Sequence, residues 1–310
     1  MNGLELSHGF YEEYGKAMLA EFPDIPMAVA IFGAGSENLG YDDEISRDHD
    51  FAPGFGIFLP DEDTVDRRTA FLLERAYAKL PKEYGGVNRG GLDPVGGSRT
   101  GVFRLKEYFS EKLGTATGDL TAAQWITTPE QLLLEATNGI VLRDDTGALT
   151  HIREKLAYFP EDVRRKKLAG QLLLMAQAGQ YNYVRCLQHG EPFAAQLAVS
   201  EFVKSAISAA FLLEKRYQPY YKWAPRAMRE LPQLHTLADP LCQLLTSAAD
   251  GELAEEKQFM IEAIASTVID VLQAQNLTKA ICGDLEKHAY SVNDSISDPD
   301  LRNRHILAAV

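Results

Sequence analysis

The chain has 310 residues, 45% hydrophobic and 24% charged, the composition of a globular protein with room for one large domain or two ordinary ones. Its 44 acidic against 31 basic residues leave a formal charge of −13, which argues against a broad, sequence-independent grip on nucleic acid and leaves room for a local patch that holds a triphosphate. Cys186, Cys242 and Cys282 form no CxxC pair, no apolar run approaches the roughly 18 residues of a membrane span, and the acidic start with Glu5, Glu12 and Glu13 is not expected to be a signal peptide, so a cytoplasmic protein without disulfides, zinc or membrane contact is expected.

In chain order, Leu6, Phe10, Tyr14, Met18 and Phe22 recur every four residues and predict a helix over 4–22, ended before Pro23. Met27–Phe32 is a short apolar run that reads as a buried strand. Asp48–Pro60 reads as a second strand, bent at Pro53-Gly54, and Asp61 or Asp63 then caps a helix to Leu80. Residues 83–101 hold seven glycines and Pro94, a long loop, before a short strand at Val102–Leu105. From Ser110 helical periodicity takes over, with helices expected near 129–137, 161–180, 193–217, 225–249 and 252–274, and a loop at Asn293–Pro299. The reading is an α+β protein, a small mixed-sheet domain over 1–115 followed by an all-helical domain over 116–310.

The chemistry concentrates after the first strand. Gly33-Ala-Gly-Ser-Glu-Asn-Leu-Gly40 is a small-residue turn, and Asp48-His49-Asp50 follows it. Such a turn frees backbone amides to cradle phosphate oxygens, and alternate residues of an extended segment point the same way, so Asp48 and Asp50 can share one cation. Nucleotidyl transfer asks mainly for positioning and charge neutralisation, which Mg²⁺ on paired carboxylates supplies. Asp48 and Asp50 are therefore the candidate catalytic and metal residues. Gly35 and Ser36 are the candidate phosphate contacts, and Arg47 is a candidate orienting side chain. The turn is not a dinucleotide fingerprint, since position 38 is Asn, and it lacks the Gly-Lys-Ser/Thr end of a P-loop.

Phe32-Gly-Ala-Gly-Ser-Glu-Asn-Leu-Gly-Tyr-Asp-Asp-Glu-Ile-Ser-Arg-Asp-His-Asp-Phe51 resembles the signature of a bacterial family catalogued as a domain of unknown function, itself similar to the DNA polymerase β-like nucleotidyltransferases. Trp125-Ile-Thr-Thr-Pro-Glu-Gln131 and Glu214-Lys-Arg-Tyr-Gln-Pro-Tyr-Tyr-Lys-Trp223 carry the same resemblance. It implies a small mixed sheet bearing the metal site and a helical domain closing over the substrate, as in aminoglycoside nucleotidyltransferases. It maps the superfamily's glycine-serine pair onto Gly35 and Ser36 and its metal aspartates onto Asp48 and Asp50. Two departures stand out. Ala34 replaces a serine of the usual turn, and the strand expected to bring a third carboxylate, Val102–Leu105, offers Arg104 instead. Glu107, Glu130 and Glu135 remain as candidates for that acid.

In the helical half, Tyr217, Tyr220, Tyr221 and Trp223 flank Lys222. Lys222 reads either as a triphosphate-binding lysine or as a solvated residue at a helix end whose aromatics join the core. Arg89 and Arg99, in the glycine-rich loop, read either as side chains that close on phosphate or, the simpler reading, as solvated loop residues, and Arg164-Arg-Lys-Lys167 is expected on a solvated helix face. The function expected is a Mg²⁺-dependent nucleotidyltransferase moving a nucleoside monophosphate from a triphosphate, ATP foremost, to an acceptor hydroxyl. The acidic charge favours a cationic small molecule over RNA as acceptor. The alternative is a nucleotide-binding or regulatory protein of the same fold with weak or no transfer activity.

Overall fold

The computed structural model describes residues 2–45, 52–89, 99–248 and 252–310. The chain divides into two compact units, Met1–Leu120 with Leu132–Ala157, and Thr121–Gln131 with Tyr158–Val310.

In the first unit α1 (Gly3–Phe10) starts under a capping box, Asn2 accepting from the Glu5 N–H and Glu5 from the Asn2 N–H. It runs through a π-helical turn, Tyr11–Gly15, into α2 (Lys16–Leu19), so the helix expected over 4–22 forms with one bulge. Then come β1 (Ala28–Ile31), β2 (Gly56–Leu59), α3 (Arg67–Ala78), the hairpin of β3 (Glu83–Tyr84) and β4 (Val87–Asn88), β5 (Gly101–Arg104) and α4 (Leu105–Leu113). The cap of α3 is Asp66, which accepts from the Thr69 N–H. Asp61 is spent on a turn of its own, its carbonyl accepting from Thr64 and Val65. After α5 (Ala122–Thr127), which belongs to the second unit, the chain returns through α6 (Glu130–Thr137) to β6 (Ile140–Asp144) and α7 (Ala148–Lys155).

The sheet order is β5-β2-β1-β6, with β1 antiparallel to β2 and β6 and β2 parallel to β5. This is the small mixed sheet that the family resemblance implies. β6 departs from expectation. The sequence reading assigned everything beyond 115 to a helical domain, yet Ile140–Asp144 pairs with β1, and 132–157 packs with the sheet. The central strands β1 and β2 are buried along their whole length. Their alternation splits the unit into two layers. Val29, Ile31, Ile57 and Leu59 join Phe10, Tyr11, Phe55 and Leu73 in one core. On the opposite face the Phe58 ring lies 5.4 Å from Phe32, 5.5 Å from Phe103 and 5.1 Å from Tyr108.

The second unit is helical: α5, α8 (Glu161–Met175), a π-helical turn at Ala176–Asn182, α9 (Tyr183–Gln188), α10 (Pro192–Leu213), α11 (Ala224–Met228), α12 (Ala238–Thr246), α13 (Glu252–Ala274), α14 (Leu285–Asp294) and α15 (Pro299–Asn303). The single helix expected over 225–249 is broken. Pro232 lacks an N–H, and the chain passes through a 3-10 turn at Leu234–Leu237 before α12. α8 is central, with α10 and α14 packed on it. By length and composition alone α10 meets the requirement for a membrane span, contrary to the expectation that no apolar run approaches that length. Within this unit it packs on α8 and α9, and 56% of its apolar window is buried.

The basic run on α8 is a fastening, not a solvated face. Arg164 binds Glu161 and the Leu212 carbonyl, and Arg165 donates to the Ser295 carbonyl and hydroxyl. Lys166, 0% exposed, donates to Asn293 Oδ1 at 2.8 Å and to the carbonyls of Arg302 and Arg304 at 3.3 and 2.6 Å. A buried ammonium is tolerated because all three of its protons find oxygen.

Candidate functional site

The turn after β1 is built by backbone geometry first. Gly33 and Gly35 have φ of 124° and 115°, a region L side chains rarely enter, and the 3-10 turn Ser36–Leu39 follows. The positive φ favours glycine at position 35, and a Cβ there would also displace the ends of the Arg99 and Glu37 side chains.

Side chains from elsewhere then fix the turn. Asn138, just beyond α6, accepts from the Gly33 N–H and donates to the Gly33 carbonyl, both at 2.9 Å. Asn38, 8% exposed, donates to the carbonyls of Gly33 at 3.3 Å and Ala34 at 3.1 Å. Arg99 Nη1 donates to the Ala34 carbonyl and, at 2.7 Å, to Glu37 Oε1. The carbonyl edge of the turn is thus held by side-chain donors. Among the described residues no side chain caps the Gly35–Ser36 start of the 3-10 turn. Gly35 and Ser36, the candidate phosphate contacts of the sequence, lie on a turn whose shape is imposed by its neighbours.

A shell of half-buried charges and the buried Glu135 stands around this turn. Arg153 donates to the carbonyls of Ala136, Thr137 and Asn138 at 3.2, 2.8 and 2.7 Å and lies 4.9 Å over the Phe32 ring, which steadies the residue that grips Gly33. Burial pulls the Arg153 guanidinium below its ordinary value. The Tyr108 phenol is pushed up by burial and by the Glu135 charge, while Arg153 and Arg99 pull it back. Lys112 is lowered by burial and by Arg99, opposed by Glu135, to which it pairs at 3.9 Å. Among the described residues this shell sets three cations, Arg99, Lys112 and Arg153, against two carboxylates, Glu37 and Glu135.

The remaining sequence candidates are distributed as follows. Asp48, Asp50 and Arg47 lie outside the described residues. Among the described residues no group of three or more His, Cys, Asp or Glu side chains converges to hold a metal. Of the three candidates for a further acid, Glu107 is exposed on α4, whereas Glu135, 8% exposed, shares the surroundings of Tyr108 and the turn. Glu130 lies in the second unit, accepts from the Gln218 N–H at 2.6 Å, and is pushed up to about 7 by burial despite that bond and the Lys167 charge. Lys222 is also in the second unit, exposed, its ammonium 5.0 Å from the Trp223 ring. Its aromatic neighbours part company, Tyr217 being buried while Tyr220 and Tyr221 are exposed. Arg89 is neither solvated nor free for phosphate. It donates to the carbonyls of Pro53 and Pro81 and lies 4.1 Å over the Phe10 ring. Arg99, expected in a solvated loop, is the turn's own partner.

Asn138, Asn38, Arg153, Lys112 and Tyr108 have no signal in the sequence reading. Asn138 precedes Gly139 at a helix end and reads there as an ordinary stop. Nothing local announces a partner 105 residues earlier.

Residues 125–224 match the model of a family described as Domain of unknown function (DUF4037). No match is found among curated proteins. Among solved structures the chain is similar to a nucleotidyltransferase-like protein from Exiguobacterium sibiricum 255-15, with 11% identity, 93% of this chain and 81% of that chain covered, and a TM-score of 0.37. Likeness at that level does not tell what either protein does. Over residues 125–224, therefore, the chain is similar to a domain-of-unknown-function family, as its sequence suggests.

Proposed function

We propose that this protein is a magnesium-dependent nucleotidyltransferase that moves a nucleoside monophosphate from a triphosphate, with ATP as donor, to a hydroxyl of a small molecule. The observation that carries this reading is the turn itself. Gly33 and Gly35 hold left-handed backbone after a buried strand, the carbonyl edge is tied down by Asn138, Asn38 and Arg99, and half-buried cations stand beside it. Amides and a serine hydroxyl presented this way suit phosphate oxygens.

Asp48 and Asp50 would hold the cation and Arg47 would orient the polyphosphate, roles that rest on the sequence. Magnesium, when bound, neutralises charge along the polyphosphate. In the transfer the acceptor oxygen bonds to the α-phosphorus while the bond from that phosphorus to the oxygen bridging to the β-phosphate breaks, and pyrophosphate leaves. The acceptor proton passes to a carboxylate, for which Glu135 is the described candidate. The net charge of −13 supports a cationic acceptor over RNA.

Calorimetry of the protein with the four nucleoside triphosphates, with and without Mg²⁺, tests this reading against Asp48→Ala/Asp50→Ala. Metal-dependent binding lost in the double variant supports it, and pyrophosphate release in an acceptor screen then separates a transferase from a protein that binds nucleotide without transfer. Absence of binding to any triphosphate rejects it.

A further inference from the structure

We infer that Arg99 is the phosphate-binding cation of the glycine turn and that Glu37 holds its place against the incoming anion, so that nucleotide entry is an exchange of carboxylate for phosphate. The inference deepens the nucleotidyltransferase reading and rests on it.

Three observations converge on it. Arg99 reaches the turn from 62 residues beyond Glu37, and its Nη1 divides itself between the Ala34 carbonyl and Glu37 Oε1. The pair is largely shut from solvent, with side-chain exposures of 11% for Arg99 and 18% for Glu37. It also lies directly against Gly35: a Cβ there would meet Arg99 Nη1 and both Glu37 oxygens. A carboxylate is therefore already seated against the glycine, one of its oxygens bound by Arg99 Nη1.

Phosphate offers the same chemistry. A guanidinium binds carboxylate and phosphate with the same parallel N–H donors, and a polyphosphate carries more charge than a single carboxylate. Its oxygens and the Glu37 carboxylate exclude each other, since two anions beside Gly35 repel at short range in a poorly solvated site. Glu37 thus has two effects on the ligand-free chain. It keeps Arg99 oriented and its charge compensated, and it lowers the affinity of any anion that must displace it. The bond from Arg99 to the Ala34 carbonyl holds the guanidinium at the turn while its bond to Glu37 is exchanged.

The test is a double-mutant cycle read by calorimetry with two probes, Mg²⁺–ATP and inorganic tripolyphosphate. Glu37→Gln keeps the side-chain volume and removes the competing charge; it is expected to bind both probes about tenfold more tightly, the equivalent of one charge-assisted hydrogen bond. Arg99→Gln is expected to weaken both by at least as much. In the Arg99→Gln background the Glu37→Gln gain should vanish, because a competitor for Arg99 has nothing left to compete for. A gain that persists there marks a general field effect and overturns the inference. So does a Glu37→Gln protein that binds no more tightly than the natural chain. In both cases triphosphate binding by the natural chain leaves the wider reading standing. If neither the natural chain nor Glu37→Gln binds either probe, both fall together. Glu37→Asp, whose shorter carboxylate releases Arg99 without losing charge, carries the same comparison if Glu37→Gln does not fold, with a smaller gain expected.

Discussion

Replacing Asn138 by alanine isolates what holds the glycine turn in shape. The side chain makes two bonds to one residue, accepting from the Gly33 N–H and donating to the Gly33 carbonyl, each at 2.9 Å. The two losses are unequal. The carbonyl keeps Asn38 Nδ2 at 3.3 Å, so its loss costs about 0.5–1 kcal/mol, the net worth of an ordinary hydrogen bond. The Gly33 N–H loses its Asn138 acceptor, and an unmade bond at a poorly solvated amide costs about 1–3 kcal/mol. Together Asn138→Ala should destabilise the sheet unit by about 2–4 kcal/mol. Both tryptophans, Trp125 and Trp223, lie in the second unit, so tryptophan fluorescence is the wrong probe. Amide hydrogen exchange along β1 and β6 reads the right elements, since they pair with each other directly before and after this contact. Asn138→Asp keeps an acceptor for the N–H and sets a carboxylate oxygen against the Gly33 carbonyl, so it should also destabilise. A change below about 0.5 kcal/mol in the exchange of β1 amides for Asn138→Ala would refute the idea that this side chain imposes the turn.

Gly35→Ala should cost about 1–3 kcal/mol from the left-handed backbone alone, and more once the Arg99–Glu37 pair is displaced; urea denaturation and Mg²⁺–ATP titration should both register it. Lys166→Ala should lower stability by about 3 kcal/mol by leaving Asn293 Oδ1 and the carbonyls of Arg302 and Arg304 without their shared donor, and Lys166→Met should lose less because it refills the space, both read as urea midpoints. Glu130 titrates near 7 in the folded chain and near 4.5 when unfolded, so the protonated carboxyl favours folding below pH 4.5 and that contribution is lost as pH rises through 7. Glu130→Gln, which can still accept from Gln218, should match the natural chain near pH 4 and exceed it by about 3 kcal/mol at pH 8; equal stability at pH 8 would count against this assignment.

Much of this architecture is legible in the residues, and the exceptions share a cause. β1 and β5 are written in short apolar runs, and most helices show their period and their caps. β6 was not legible because Ile140-Val-Leu-Arg-Asp, an edge strand of mixed exposure, lacks the alternation that marks a half-buried strand. The basic run on α8 looked solvated because the partners of Arg164, Arg165 and Lys166 lie 48 to 138 residues away, at Leu212, Ser295 and Arg304. The turn at Gly33–Ser36 declared itself by composition, while the side chains that fix it, Asn138 and Arg99, are brought in by tertiary structure alone. Local chemistry announces a glycine turn; only the fold says what braces it.

The late arrival of β6 has a consequence for synthesis. Its pairing partner β1 leaves the ribosome more than a hundred residues earlier, and the chain lays down a segment of the other unit, Thr121–Gln131, in between. Until residue 144 emerges, the β1 edge that β6 will cover has no partner, and an uncovered apolar edge is a template for aggregation. A fragment cut at residue 115 would hold that vulnerable state permanently. The sheet unit is therefore one body in space and two pieces in time, completed only when the chain comes back to it.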